Sequence, residues 1–284
     1  GAITEKGGNP NVSVSLPHEL QLYALPQKAD ATAADVAASF RLINIGPKEV
    51  MWPLLLATYR AAIGPADFAI HLAGRTGTYK SEIASLMQSH YGPKMDARHL
   101  PASWNSTANA LEALAYKAKD ALLVVDDFVP VGTSWQIRAL QAKADQFIRG
   151  QGNQAGRTRL NDTSTLQGTM YPRGIILSTG EDIPEGHSIR ARMLIVELSP
   201  GDVPVDRLTA AQNNREHYSI AMADWIRWIA HNKIGDRIKG IANQIRDHHQ
   251  GIGHSRTPPI LGDLIATANL MAEWAHESGY FPTA

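Results

Sequence analysis

Residues Asp67 to Ser89, DFAIHLAGRTGTYKSEIASLMQS, contain the pattern that decides the fold. An apolar run, Phe68 to Ala73, is typical of a buried strand, and a turn with two glycines follows it. Lys80 and Ser81 then begin an amphipathic segment that predicts a helix. Strand, glycine turn, Lys-Ser and helix in this order are typical of a P-loop, in which backbone N–H groups and the helix N-terminus bind phosphate. We therefore expect a nucleotide site at this turn.

The predicted P-loop would bind ATP and Mg²⁺. Its lysine ammonium would reach the β and γ phosphate oxygens, and its serine hydroxyl would ligate the metal. The pattern G-x-x-x-x-G-K-[ST] puts Tyr79 where a second glycine is usual. A chance Gly/Thr-rich turn before a helix would have the same sequence pattern, but the flanking strand and helix favour the P-loop. The predicted nucleotide-binding residues are Gly74, Arg75, Thr76, Gly77, Thr78, Tyr79, Lys80 and Ser81.

A second motif, ALLVVDDF at Ala121 to Phe128, resembles a Walker B strand. Apolar residues that run into two acids are typical of a buried parallel strand whose carboxylates emerge at the carboxyl edge of the sheet. Asp126 would bind magnesium, and Asp127 would orient or deprotonate the attacking water. The alternative is a buried strand that ends in a solvated turn. Asp127 is one methylene shorter than the Glu that is commoner at this position. Its role as the base is therefore less well supported than the role of Asp126 in binding magnesium.

A third apolar run, Gly174 to Gly180, ends in Ser178 and Thr179. Hydroxyls at such a strand tip can sense the γ-phosphate or orient water. The alternative is a strand that simply ends in a hydroxyl-rich turn, which would have the same sequence pattern. A further strand is predicted at Arg192 to Leu198. Arg190 and Arg192 would act as an arginine finger in the ATP site of the next subunit, or are edge charges.

The composition excludes several classes of protein. The 284 residues include 27 basic and 27 acidic side chains, so any DNA contact must be a local patch. The lack of cysteine excludes disulfides, thiol catalysis and zinc sites built on cysteine. No apolar run approaches the roughly 18 residues of a membrane helix, and no signal peptide is visible. We expect a cytoplasmic protein without membrane contact.

Apolar spacing predicts the remaining elements. A short strand is expected within Lys94 to Leu100 and a Gly-, Asn- and Arg-rich loop at Gly150 to Asn161. The predicted helices are Thr32 to Ile43, Lys48 to Ile63, Ser103 to Lys119, Trp135 to Arg149, Leu208 to His231, Ile234 to His249 and Leu261 to His276.

Some polar and aromatic residues have two interpretations. The segment after the Asp-Asp strand is the best candidate for a DNA contact, on its basic residues Arg138, Lys143, Arg149, Arg157 and Arg159. Arg157 and Arg159 would equally suit solvated loop charges. For Trp225 and Trp228 we favour core packing over base stacking, and for His248, His249 and His254 solvated or core positions over a metal site.

Alternating strands and helices favour an α/β fold with a parallel sheet covered by helices on both faces. We expect a P-loop NTPase core of the RecA/AAA+ type, a helical N-terminal lead-in and a helical C-terminal subdomain. The predicted boundaries are residues 1–64, 65–203 and 204–284. The Asp-Asp strand and the Ser178-Thr179 strand should both lie next to the P-loop strand.

Three segments together resemble a known family: Trp104 to Phe128, Phe147 to Arg157 (FIRGQGNQAGR) and Arg173 to Pro184 (RGIILSTGEDIP). They are similar, over roughly residues 50 to 200, to the ATPase domain of phage, plasmid and genomic-island proteins called domain of unknown function 927. That resemblance implies a P-loop core with an additional strand, a hexameric ring and ATP-driven movement on DNA beside primase or primase-polymerase modules. It matches Lys80 and Ser81 to Walker A, the two aspartates to Walker B, and Arg190 and Arg192 to the arginine-bearing segment.

The favoured hypothesis is the ATPase motor of a mobile-element replication helicase, a ring homo-oligomer that acts on single-stranded DNA. A second hypothesis is a nucleotide-gated assembly module with little hydrolysis, which Tyr79, Asp127 and the neutral charge favour. A small-molecule kinase is a third, disfavoured by the lack of an evident arginine-rich lid.

Overall fold

A computed structural model describes residues 3–4, 7–8, 14–26, 30–160, 166–248 and 254–281. At its centre is a five-stranded sheet in which every pair of neighbouring strands is parallel. The strands are β1 (Ile3–Thr4), β2 (Gly7–Gly8), β3 (Ala69–Gly74), β4 (Ala102–Ser103), β5 (Leu122–Phe128), β6 (Arg157–Leu160), β7 (Leu166–Met170), β8 (Ile175–Gly180) and β9 (Met193–Leu198). Strands β1 and β2 form a separate antiparallel pair, as do β6 and β7.

Ten α-helices accompany these strands in the described residues. They are α1 (Ala33–Phe40), α2 (Lys48–Ala61), α3 (Lys80–Gln88), α4 (Ala108–Lys117), α5 (Ser134–Asn153), α6 (His187–Arg190), α7 (Val205–Gln212), α8 (Arg215–His231), α9 (Ile234–His248) and α10 (Thr257–Glu277). Local chemistry sets several helix starts. Thr32 and Asp35 form a capping box at α1, and Thr133 and Gln136 form one at α5.

The sheet separates two apolar cores, because alternate strand residues point to opposite faces. One face presents Leu72, Val124 and Leu177, which share a core with α2, α3, α8 and α10. The other presents Val125 and Ile176, which pack with residues of α4, α5 and α6. The predicted α/β class, with a parallel sheet and helices on both faces, is confirmed.

The order of the strands is β4-β5-β8-β3-β9. Our prediction that the Asp-Asp strand lies next to the strand of the glycine turn is wrong, since β8 separates β5 from β3. The long connection from β5 to β8 contains α5 and the β6–β7 hairpin, and it allows the chain to return between the two strands. The Ser178-Thr179 strand does adjoin β3, as predicted.

Several predicted segments differ in the structure; the helix predicted from Ser103, for example, begins at Ala108, after β4. Lys94 to Leu100 forms no strand; the edge strand is β4, which pairs with Val125 and Asp126 of β5. Gly150 to Asn161 is not a loop throughout, since α5 continues to Asn153 and β6 begins at Arg157. Leu208 to His231 is two helices, α7 and α8, separated at Asn213 and Asn214.

Gln88, at the end of α3, fixes this helix against β5. Its buried side chain accepts a hydrogen bond from the Val124 N–H at 2.9 Å and donates one to the Leu122 carbonyl at 3.0 Å. It thereby satisfies backbone groups of β5 that β4 is too short to pair. Because Ser81 lies in the first turn of the same helix, this contact also sets the position of Ser81 along β5.

The C-terminal helices pack on α2. Trp225 and Trp274 are fully buried beside Tyr59, and Trp228 is 9% exposed, which confirms the core assignment of Trp225 and Trp228. Arg60 of α2 forms an ion pair of 3.1 Å with Asp263 of α10. One apolar core thus spans residues from all three predicted segments, 1–64, 65–203 and 204–284, whose boundaries stay a prediction. In the part of the chain described here, no helix is both long and apolar enough to cross a membrane.

Candidate functional site at the carboxyl edge of the sheet

The turn from Gly74 to Tyr79, hereafter the glycine turn, joins β3 to α3 at the carboxyl edge of the sheet. A side chain at Gly74 would lie only 2.7 Å from the Leu198 carbonyl, so the close approach of β9 requires glycine there. Gly77 has a φ of 84°. Tyr79, where the P-loop pattern has glycine, also adopts a left-handed conformation, with φ 63° and ψ 24°. The backbone therefore keeps a conformation that glycine favours, although the residue is tyrosine.

The Arg75 carbonyl holds the glycine turn closed on itself. It accepts hydrogen bonds from the Thr78 backbone N–H at 3.3 Å and the Thr78 hydroxyl at 2.8 Å. The Lys80 ammonium also donates to it, at 2.9 Å. The ammonium of Lys80 therefore lies over the turn and next to the first residues of α3, where helix N–H groups have no partners within the helix.

Ser81 and Asp126 meet where the glycine turn faces β5. The Ser81 hydroxyl lies 2.9 and 3.1 Å from the two carboxylate oxygens of Asp126. The Thr179 hydroxyl, at the tip of β8, also donates to the Asp126 carboxylate. Three residues predicted from separate motifs are thus in direct contact.

Asp127 is placed differently from Asp126. It has a φ of 71°, its side chain is exposed, and its backbone N–H donates to the Thr179 hydroxyl at 3.2 Å. The left-handed conformation lies within β5, where the register with β8 shifts between Val125 and Phe128 before Phe128 pairs with Gly180. Thr179 thus contacts both aspartates and fixes the end of the strand.

Ser178 does not point to this site. It lies on the other face of the sheet, where its hydroxyl accepts a hydrogen bond from the Trp104 indole at 2.9 Å and contacts His71 Nδ1 at 2.9 Å. His71 Nε2 lies 2.9 Å from the Asp182 carbonyl. A carbonyl only accepts, so the neutral imidazole carries its proton on Nε2, and Ser178 donates to Nδ1. Burial lowers the pKa of His71 from 6.5 to about 4, which keeps the ring neutral.

The loop after β8 contacts the glycine turn. The Thr76 hydroxyl donates to the Glu181 carboxylate, next to Asp182, whose carbonyl His71 binds. We did not predict this contact or the roles of His71 and Trp104. A histidine inside the apolar run of β3 is the signal that was present, because a buried imidazole needs partners.

Arg190 and Arg192 lie away from the contact between Ser81 and Asp126. Arg192 directly precedes β9, whose first residue pairs with Ala69 at the amino end of β3. Its guanidinium donates to the Asn153 side chain at 2.9 Å and to Ser188. Arg190 is exposed and donates to the Pro184 carbonyl at 3.2 Å. Neither arginine therefore belongs to the site of its own chain.

The basic residues after β5 are dispersed. Lys143 donates to the Trp104 and Ser106 carbonyls at 2.7 and 2.8 Å, and burial lowers the pKa of its ammonium. Arg138 and Arg149 are exposed on α5, whereas Arg157 and Arg159 belong to β6 rather than to a loop. Val131 and Trp135, 70% and 74% exposed, form an apolar tip where α5 begins.

Among the described residues, no group of three or more histidine and acidic side chains is arranged to hold a metal ion. His248 contacts the Gln244 carbonyl at 2.7 Å, and His249 lies outside the described residues.

A sequence model of the family described as domain of unknown function (DUF927) matches residues 49–163. The chain resembles DUF927. This confirms the predicted resemblance, and the matched segment contains the glycine turn and both aspartates. It is shorter than the predicted 50 to 200: β8, Arg190 and Arg192 lie beyond it. A search of curated proteins found no match.

Solved structures show a related fold. One described as "SCCmec type IV Cch - active helicase" aligns with a TM-score of 0.51 and 14% identity over 84% of this chain. The chain spans 46% of the length of that structure. A JCV helicase (TM-score 0.38, 12% identity, 79% of this chain and 67% of that one) and the NrS-1 C terminal region (0.35, 12%, 91% and 69%) are less similar. Only the first supports a shared fold.

Two variants of Tyr79 test whether the glycine turn holds this residue in a left-handed conformation. Tyr79→Gly and Tyr79→Ala remove the same side chain, but only glycine adopts a left-handed conformation without a steric penalty. We expect the glycine variant to be more stable than the alanine variant by about 1 kcal/mol in urea unfolding. Equal stabilities, or a more stable alanine variant, would show that the turn does not hold this conformation.

The buried histidines predict how stability depends on pH. Burial lowers the pKa of both His71 and His90 from 6.5 to about 4. The unfolded chain therefore binds more protons between these values, and the free energy of unfolding should fall as the pH falls from about 6.5 to 4. Each histidine would contribute a loss of about 3 kcal/mol.

Urea unfolding of wild type and His71→Asn over this range checks the prediction. The variant should lose about half of the pH dependence, because only His90 remains. Identical slopes for the two proteins would mean that His71 is not buried as a neutral imidazole.

Proposed function

We propose that the chain is the ATP-binding and ATP-hydrolysing motor domain of a mobile-element replication helicase, which acts as a ring oligomer on single-stranded DNA. The observation that carries the proposal is the contact of Ser81 with Asp126 beside the glycine turn. A P-loop NTPase requires its hydroxyl and its Walker B acid to meet at the phosphate end of the nucleotide. The likeness to DUF927 and the inserted strand β8 support this assignment.

The donor groups of the site suit magnesium and a triphosphate. Mg²⁺ prefers oxygen ligands, often one or two carboxylates together with phosphates and water. The Ser81 hydroxyl and the Asp126 carboxylate supply such oxygens 2.9 Å apart. Bound magnesium would neutralise charge on the phosphate oxygens, with Ser81 as a ligand and Asp126 binding it through water.

Each residue then has one task. Backbone N–H groups from Gly74 to Tyr79 and the start of α3 bind the phosphates. Lys80 exchanges the Arg75 carbonyl for phosphate oxygens and stabilises the charge that develops there. Thr179 holds the Asp126 carboxylate in place, and Asp127 orients the water.

In the described part of the chain, no arginine guanidinium contacts Ser81, Asp126 or Thr179, which fits completion by a neighbouring subunit. Arg190 is exposed and available to a neighbour, whereas Arg192 is held by Asn153 and Ser188. We therefore favour Arg190 as the finger. Such a residue contributes about 10³ to 10⁵ in rate in related enzymes.

A nucleotide-gated assembly module with little hydrolysis is the second candidate. The exposed, left-handed Asp127 and the strained Tyr79 favour it, because hydrolysis needs a base held against the nucleotide. A ring oligomer that forms when ATP binds but hydrolyses little ATP would support this function.

Steady-state ATP hydrolysis distinguishes these functions. Wild type should hydrolyse ATP at a rate that rises with protein concentration and with single-stranded DNA. Lys80→Ala should abolish turnover, because the γ-phosphoryl charge loses its ammonium. The control Lys239→Ala removes an exposed lysine on α9 and should keep the wild-type rate. Turnover in Lys80→Ala equal to wild type would contradict the motor assignment.

A further inference from the structure

Three arginines from distant parts of the sequence meet at the last turn of α5. Arg149 belongs to this helix, Arg192 precedes β9, and Arg256 precedes α10. Arg192 donates to the Asn153 side chain, and its aliphatic stem packs on Gly152, where even a Cβ would lie 2.5 Å away. Arg256 donates to the Gly152 carbonyl at 3.2 Å. We call these three residues the amino-edge arginine cluster.

The cluster concentrates positive charge. Arg149 has a carboxylate partner, Asp145, at 2.7 Å, whereas Arg192 and Arg256 donate to neutral oxygens of Asn153, Ser188 and Gly152. Burial and the charges of Arg256 and Arg149 lower the pKa of Arg192, and the nearby carboxylates of Asp145 and Asp67 offset this only in part. Like charges this close repel one another, and a bound anion would relieve the repulsion.

A cleft of about 310 Å³ lies beside the cluster. Its lining includes Arg149 and Asn153 together with the apolar residues Phe147, Met170 and Pro172. The two carboxylates in the lining, Glu112 and Asp145, accept hydrogen bonds from Gln146 and Arg149. The cleft thus combines an apolar interior with amide and guanidinium donors.

This surface is separate from the glycine turn. Arg192 precedes Met193, which pairs with Ala69 at the start of β3, whereas the glycine turn follows Gly74 at its end. Five residue steps of about 3.3 Å separate the two ends of the strand by about 17 Å. The cluster and the proposed ATP site therefore lie at opposite edges of the sheet.

We propose that the amino-edge arginine cluster binds the phosphate backbone of a single-stranded nucleic acid through Arg149 and Arg256, with Arg192 held by Asn153 and Ser188 and adding its charge, and that the adjoining cleft receives an unpaired base. Guanidinium forks match phosphate oxygens, and an apolar cleft with polar donors suits a base that is not paired. An acidic protein surface would pair with the arginines but leave the cleft unused. A base in a duplex would not reach the cleft.

Fluorescence anisotropy of a labelled single-stranded oligonucleotide, without ATP, tests the proposal. The double variant Arg149→Gln/Arg256→Gln should bind at least tenfold more weakly at low salt. The slope of log affinity against log salt should also decrease by about 0.7 for each phosphate that the variant no longer neutralises. Arg237→Gln is the matched control, because Arg237 pairs with Glu273 on another surface and should bind as wild type.

A second variant tests the cleft without removing an arginine. Met170→Glu places a carboxylate at the 37% exposed Met170, where it should weaken single-strand binding and reduce any preference over a duplex of the same sequence. Urea unfolding of each variant establishes that it is folded.

Unchanged affinity and salt slope in the folded double variant would overturn the proposal. Loss of self-association in sedimentation with unchanged oligonucleotide binding would also overturn it, and would assign the cluster to a contact between copies. The proposal extends the DNA-directed function proposed above. Since its test needs no ATP, its failure is distinguishable from failure of the ATPase assignment.

Discussion

The hydrogen bonds from Ser81 and Thr179 to Asp126 are the interaction around which the carboxyl edge of the sheet is arranged. These bonds join α3, β5 and β8. In the sequence, Ser81 lies 45 positions before Asp126, and Thr179 lies 53 positions after it. A partly buried carboxylate needs such partners, because an unpaired charge there would be costly. In the site that we propose, the same carboxylate oxygens would exchange a hydroxyl for a hydrated metal, so the contact that stabilises this end of the sheet would also serve magnesium binding.

Two buried side chains on opposite faces of the sheet support this edge. Gln88 binds backbone groups of β5 and so fixes α3 at the level where Ser81 meets Asp126. His71 fixes the loop after β8, whose Glu181 accepts a hydrogen bond from Thr76 of the glycine turn. The position of the glycine turn therefore depends on packing from both faces. Local sequence accounts for its shape, and these tertiary contacts account for where it lies.

The sequence was sufficient to predict the residues whose roles follow from local order. Lys80, Ser81 and Asp126 follow strands with strongly apolar runs, and parallel strands bring their carboxyl ends to one edge. The insertion of β8 between β3 and β5 was not predictable in this way, because strand order depends on the path of a long connection. Alternation along the strand does predict that only one of Ser178 and Thr179 faces Asp126, but which of the two does so depends on how the strand is placed in the sheet.

The continuation of α5 past Gly150 shows the same limit. A glycine inside a helix destabilises it by about 1 kcal/mol, so Gly150 and Gly152 in the sequence favour a loop. In the structure, Arg192 packs on Gly152, and Gln151 donates to the Ala66 and Gly174 carbonyls. Glycine is needed at residue 152 because the arginine stem leaves no space for a Cβ.

The central claim is that the glycine turn, Ser81 and Asp126 form one site for a magnesium-bound triphosphate. Equilibrium binding of ATP, measured by calorimetry with Mg²⁺ and again with the metal chelated, tests it most directly. We predict one site per chain whose affinity falls on chelation, because Ser81 and Asp126 then lose the ion that links them to the phosphates. An absence of binding, or an affinity that does not change on chelation, would contradict the claim.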